Sequence, residues 1–349
     1  RDKMPEMVRA ISKEAVLNSS YISENIATIY FGGGTPSLMS EQELETIITG
    51  LRKQFTVDDM AEITLEANPD DITVEKLSGW KKAGINRLSI GIQSFFEDDL
   101  QWMNRGHNAG QALAAVQLAQ QEGFTNITID LIYGTPGLTD EKWKQNIETA
   151  LALKVPHLSC YALTVEPKTA LAKMIATHQS ADVDADKQAR HFSILTERLA
   201  AAGFEQYEIS NFALPGFRSR HNSSYWQGKP YLGLGPSAHS FNGKSRQWNI
   251  ANNSLYLTAI EKDEIPFEEE LLTDTQRLNE YIMTSLRTIE GTSLLKIAAD
   301  YGEMKVKTIA NAAQKHLDRG HLRKIDHVLQ LTSEGKFLAD GIAADLFVE

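Results

Sequence analysis

The stretch IYFGGGTPSL, Ile29–Leu38, sets three glycines and a Thr-Pro directly after an apolar β-type run. Glycines add no side chain to a core, but they let a backbone turn sharply or approach another group closely. No Gly-Lys-Ser/Thr follows, as a phosphate-binding loop requires, and Ser37 stands where a dinucleotide fingerprint carries its last glycine. Two readings remain for the tripeptide alone. It is a plain glycine-rich turn, or a strand end whose N–H and C=O groups face a small polar ligand.

Outward from this stretch, strand-like and helix-like segments alternate. IATIYFGGG reads as a strand and SEQELETIITGLRKQF as a helix, with Ser40 as N-cap and Glu43 completing a capping box. EITLEANP, NRLSIGIQS, TNITIDLIYGTPG, HLSCYALTV and FEQYEISNFA are the further strands, the last read as a single one. Helical segments separate them, and TVEKLSGWKKAG is stopped by Gly84. Repeated β-then-α units with apolar strands predict a parallel sheet covered by helices. Polar residues recur at the strand ends: Gly33, Gly34 and Thr35, then Glu66 and Asn68, Gln93 and Ser94, Asp130, and Tyr161. Strand ends form the active face of (β/α) barrels. A closed or partial (β/α) barrel therefore fits better than an open doubly wound sheet, and the expected fold class is α/β, a partial (β/α), TIM-like barrel with a ligand site along its rim. Asp130, a carboxylate within an apolar strand, needs a partner there.

The 349-residue chain is long enough for a main domain and a smaller one. Its net charge of -11 argues against nucleic acid, which favours a basic face. With one cysteine, Cys160, no disulfide can form within the chain, and the cytoplasm is the expected compartment. No apolar run has the length of a membrane span, so membrane contact is expected only through a partner. The chain opens without Met on an amphipathic helix, Met4 to Leu17, which suggests that residues upstream of Arg1 are missing. After Asn249 the texture changes. EIPFEEELLTD reads as an acidic connector, and three helices with the hairpin HLRKID/VLQLT then form a winged-helix-like unit. The expected domains are 1–215, the partial barrel; 216–268, an intervening segment and connector; and 269–349, the winged-helix-like unit.

YFGGGTPSL, EANP, RLSIGIQSF followed by MNRGH, IDLIYGTPG and YALTVEP occur in the order and approximate spacing of a known family. The chain resembles, over nearly its whole length, the radical S-adenosylmethionine proteins related to oxygen-independent coproporphyrinogen III oxidase. That resemblance implies that Gly33, Gly34 and Thr35 contact the methionine end of S-adenosylmethionine, with Glu66 also binding the cofactor. It further implies that Gln93 and Arg105 hold its polar groups, Asp130 contacts the adenosine part, and Ala162 lies beside it. Arg105 is suited to pairing the methionine carboxylate. The family holds a [4Fe–4S] cluster on three thiolates of a CxxxCxxC loop. Cys160 alone cannot hold one, so the cluster cysteines are expected upstream of Arg1 and no metal ligands in this chain.

RHNSSYWQGKPYLGLGPSAHSF, Arg220–Phe241, contains an HNxxYW stretch formed by His221, Asn222, Tyr225 and Trp226. It resembles the heme-chaperone branch of this family, which implies that the protein binds heme, with His221 the candidate axial ligand, and passes it to apoproteins. Imidazole ligates heme iron and aromatic neighbours pack on a porphyrin. His239 is an equally placed competitor, and a loop-tying role for His221 stays open. The alternative within the family is the oxidase, which would need basic residues for a tetra-acidic porphyrinogen. Arg218, Arg220, Lys229, Lys244 and Arg246 supply such charge in sequence.

Overall fold

Runs of β-branched and aliphatic residues build the central sheet of the computed structural model, which describes residues 3–349. Residues 1 and 2, the start of the expected 1–215 segment, lie outside the described residues. Helix α1 (Met4–Leu17) precedes β1 (Ile26–Phe31), α2 (Glu41–Gln54), β2 (Val57–Ala67), α3 (Val74–Ala83) and β3 (Arg87–Gln93). Then come α4 (Glu97–Trp102), α5 (Ala109–Gln121), β4 (Ile127–Tyr133), α6 (Asp140–Ala152) and β5 (His157–Ala162). Helices α7 (Ala170–Ala176) and α8 (Ala185–Ala201) lead to β6 (Glu205–Glu208) and β7 (Asn211–Ala213).

The sheet runs β1-β2-β3-β4-β5-β7-β6, parallel from β2 through β5. With its covering helices it is the partial (β/α) barrel that the strand pattern predicts. One expectation fails. FEQYEISNFA is not one strand but the hairpin β6/β7, with β7 antiparallel to both β6 and β5. The connection from Glu208 to Asn211 is far too short for the crossover that a parallel neighbour needs. Leu65, Leu88, Ile90, Ile129, Leu131 and Leu158 are fully buried within the sheet layer. Local signals set the helices. The Ser40/Glu43 capping box is present at α2, and Gly84 ends α3 in the left-handed conformation.

The remaining elements are α9 (Arg220–Trp226), β8 (His239–Phe241), β9 (Ser245–Asn249), α10 (Asn253–Glu261) and β10 (Phe267–Leu271). They are followed by α11 (Asp274–Leu286), β11 (Thr292–Ser293), α12 (Leu294–Tyr301), α13 (Glu303–Asp318), β12 (Leu322–Ile325), β13 (Val328–Leu331) and α14 (Ala339–Asp345). The acidic stretch read as a connector contains β10, which pairs antiparallel with β9 through Phe267↔Asn249 to Leu271↔Ser245. Its three consecutive glutamates hide the alternation, because every residue of this edge strand is exposed. Helices α11 to α13 and the β12/β13 hairpin, extended by β11, make the winged-helix-like unit.

The chain divides into two compact units. One comprises residues 3–29, Met39–Glu62 and Ser219–Glu349; the other comprises Tyr30–Leu38 and Ile63–Arg218. In the first, buried Glu14 accepts hydrogen bonds from Gly235 N, Asn249 Nδ2 and Tyr256 Oη, beside a core of Ala10, Tyr256 and Ile260. No helix among the described residues is long and apolar enough to cross a membrane.

Candidate functional site

The glycine stretch follows β1, and its shape is set by two strand residues. Tyr30 Oη donates to Glu66 Oε1 at 2.6 Å, and Gly33 N donates to Glu66 Oε2 at 3.2 Å. A Cβ on Gly32 would lie 2.5 Å from the Tyr30 ring and 2.8 Å from Glu66 Oε1, so a side chain there would have to displace that pair. Gly33 adopts φ +79°, and neither Gly33 nor Gly34 has an atom within 4 Å of where a Cβ would sit. Thr35 accepts from Leu38 N at 3.0 Å and opens a short turn. Ser37 Oγ donates to Asp71 Oδ2 at 2.7 Å and Lys76 Nζ donates to Ser37 O at 2.9 Å, which pins the far end of the stretch.

Along the same strand ends, Gln93 sits at φ +69°, beyond a register shift between β3 and β4. A bulge of this kind re-aims a side chain. Gln93 and Arg105 converge over Gly91, where a Cβ would be 3.0 Å from Gln93 Nε2 and 3.3 Å from Arg105 Nη2. Arg105 Nη2 donates to Asn68 Oδ1 at 3.2 Å, while its buried Nε has no partner. Asp130 lies opposite Ser159 in the register. Burial, and then the charge of Glu66, push its carboxyl up to about 7, against smaller opposing effects of Ser159, Arg87 and Arg105. Ala162 closes the row at the end of β5, opposite Tyr133. The rim thus joins a buried guanidinium N–H that lacks an acceptor to the carboxyl groups of Glu66 and Asp130. That set suits a ligand carrying a carboxylate and a cation. His107 turns away from this purpose: it is buried, with Nε2 on Ile92 O at 3.0 Å.

The HNxxYW stretch is helix α9, and its start is anchored on a buried carboxylate from β2. Glu62 accepts from Arg220 N and His221 N, both at 3.0 Å, and from Ser219 Oγ at 3.4 Å. Ser219 caps the helix through Asn222 N. His221 Nδ1 meets Thr28 Oγ1 at 2.9 Å, and Nε2 meets Tyr225 Oη at 3.2 Å. Beyond Tyr225 the rings continue to Tyr231 and Phe241, with centroids 4.7 Å and 6.3 Å apart. His239 is exposed on β8, its ring 6.2 Å from that of Trp248.

Cys160 is buried within β5, as a small core residue, and burial raises its thiol well above the usual range. No group of three or more His, Cys, Asp or Glu among the described residues could hold a metal ion. The residues present therefore fit the organic cofactor but not an iron–sulfur cluster. Sequence reading missed Tyr30, Gly91, Thr28 and Glu62. Gly91 did carry a signal, since an isolated glycine inside a strand marks a close approach.

The description "Radical SAM superfamily" matches residues 4–150. "Heme chaperone HemW" of Bacillus subtilis (strain 168) is 32% identical over 97% of this chain and 88% of its own length. The protein of that name from Mycobacterium tuberculosis (strain CDC 1551 / Oshkosh) is 36% identical over 92% of this chain and 80% of its own length. Among solved structures, coproporphyrinogen III oxidase (HemN) from Escherichia coli, a radical SAM enzyme, superposes with a TM-score of 0.83 at 21% identity. That alignment covers 99% of this chain and 83% of the oxidase, and it shows the fold. By its relatives' identity and coverage, the chain belongs to the heme chaperone HemW family within the radical SAM superfamily.

Proposed function

We propose that this chain is a heme chaperone, which binds heme through His221 and passes it to acceptor apoproteins in the cytoplasm. The observation that carries the reading is α9, an HNxxYW helix in a chain of the HemW family, whose histidine stands beside a row of aromatic rings. Tyr225, Tyr231 and Phe241 offer apolar ring surface beside His221 on which a porphyrin can pack. Three of the basic residues that an oxidase would want for substrate carboxylates are engaged elsewhere. Arg218 pairs with Glu205, Arg220 donates to Met60 O, and Arg246 pairs with Glu280.

S-adenosylmethionine and a [4Fe–4S] cluster are the cofactors of the radical SAM family, and together they supply radical chemistry. In our reading Gly33, Gly34 and Thr35 lie along the methionine end of the first. Arg105 pairs the methionine carboxylate, Glu66 and Gln93 hold its polar groups, Asp130 faces the adenosine, and Ala162 lies beside it. Among the described residues the cluster has no ligand set, so no step through it is assigned. Functionally, residues 1–215 would serve the cofactor, 216–268 heme, and 269–349 a partner or packing surface.

Titrating the chain with hemin tests this. A Soret band that saturates at one equivalent is expected. Featureless, non-saturating absorbance, like that of hemin with an unrelated acidic protein, would refute heme binding.

A further inference from the structure

Two neighbours of His221 differ in how firmly they are held. Thr28, at Nδ1, belongs to a strand of the sheet. Tyr225, at Nε2, sits one turn further along α9 itself and is 41% exposed. The i, i+4 spacing places both side chains on one helix face, with ring centroids 4.9 Å apart and nearly perpendicular. A histidine that ligates a metal gives one nitrogen to the metal and usually anchors the other through N–H to a fixed acceptor. Thr28 fits the anchor. Tyr225 occupies the other nitrogen, and the start of α9 is held by Glu62, so Tyr225 is the group that can yield.

We propose that Tyr225 is an exchangeable cap on His221: its hydroxyl holds Nε2 in the heme-free protein, and heme binding replaces that hydrogen bond by an iron–nitrogen bond while Thr28 stays on Nδ1. This rests on the reading of His221 as the heme ligand. The exchange balances without redox chemistry. In the Nδ1–H tautomer the Nε2 lone pair passes from the Tyr225 O–H to iron, and the hydroxyl keeps its proton. The displaced ring remains against Tyr231, 4.7 Å away, and so keeps an aromatic partner. The cap keeps the ligand nitrogen satisfied until heme arrives. Because the hydrogen bond competes with iron, it also weakens heme retention, which suits a protein that must release its cargo.

The test is a hemin titration of the wild-type chain, Tyr225→Phe, Thr28→Val and His221→Ala, read by Soret position and Kd. Tyr225→Phe removes only the hydroxyl and should tighten binding about 2- to 10-fold with the Soret band unmoved. Thr28→Val should weaken it about 10-fold, as loss of an anchoring partner does. Unchanged or weaker binding by Tyr225→Phe, with His221→Ala still abolishing the band, would overturn the cap and leave His221 as ligand. A Soret shift in Tyr225→Phe would also overturn it, making Tyr225 itself a ligand. If His221→Ala changes nothing, the parent reading fails, and the cap falls with it.

Discussion

Asp130 and Glu66 bring two carboxylates within reach of each other's charge, with Arg87 and Arg105 as the nearby cations. The folded chain holds a proton on Asp130 up to about pH 7, whereas an unfolded aspartate releases it near 4. The folded state therefore binds more protons between those values, and stability from this group falls as pH rises toward 7. Asp130→Asn should flatten that part of the stability curve, measured by urea midpoints from pH 5 to 8. A cationic cofactor favours the ionised carboxyl, so S-adenosylmethionine should bind more tightly as pH rises through 7, and Asp130→Asn should lose this slope. Arg105→Ala should weaken the same binding by about 2 to 4 kcal/mol, since a charged group loses its mate. Arg105→Lys should fall between, keeping charge without the fork; calorimetry showing no loss in the alanine variant would reject the role. Gly33, Gly34 and Thr35 were legible because consecutive glycines have no core use. Tyr30 was not, because a tyrosine in an apolar strand reads as core until its hydroxyl is seen on Glu66, 2.6 Å away.

At the scale of elements, α9 depends on one carboxylate from β2 more than on its own sequence. It has only seven residues, too few to be stable alone. Glu62→Ala would leave two backbone N–H groups at the helix start without their acceptor, and should cost about 2 to 4 kcal/mol. Ser219→Ala, which removes the cap on Asn222 N, should cost about 1 kcal/mol. Chemical denaturation measures both, and hemin affinity should fall with Glu62→Ala because His221 is displaced; equal urea midpoints would show that the helix is held otherwise. Capped helices such as α2 and α3 were readable from Ser40, Glu43 and Gly84, since those residues state their own geometry. The β6/β7 turn was not. Ile209 and Ser210 carry no glycine or proline to mark it, and the pairing of β7 with β5 is a long-range choice. β10 was hidden likewise, its alternation erased by Glu268, Glu269 and Glu270.

For the molecule as a whole, the rim proposed for S-adenosylmethionine and the helix proposed for heme use different residues. The rim residues lie within Tyr30–Leu38 and Ile63–Arg218, and His221 lies within Ser219–Glu349. Heme binding should therefore survive substitutions at Arg105 or Asp130, and cofactor binding should survive His221→Ala. The barrel was legible from repeated polar strand ends, each placed by the same β-then-α rhythm. How α9 is anchored was not, because Thr28 and Glu62 lie far from His221 in sequence. The most direct test of the central claim compares His221→Ala with His239→Ala in hemin-loaded chain, by Soret spectrum. The account predicts that His221→Ala abolishes or shifts the band while His239→Ala leaves it intact; an unchanged band in His221→Ala would contradict it.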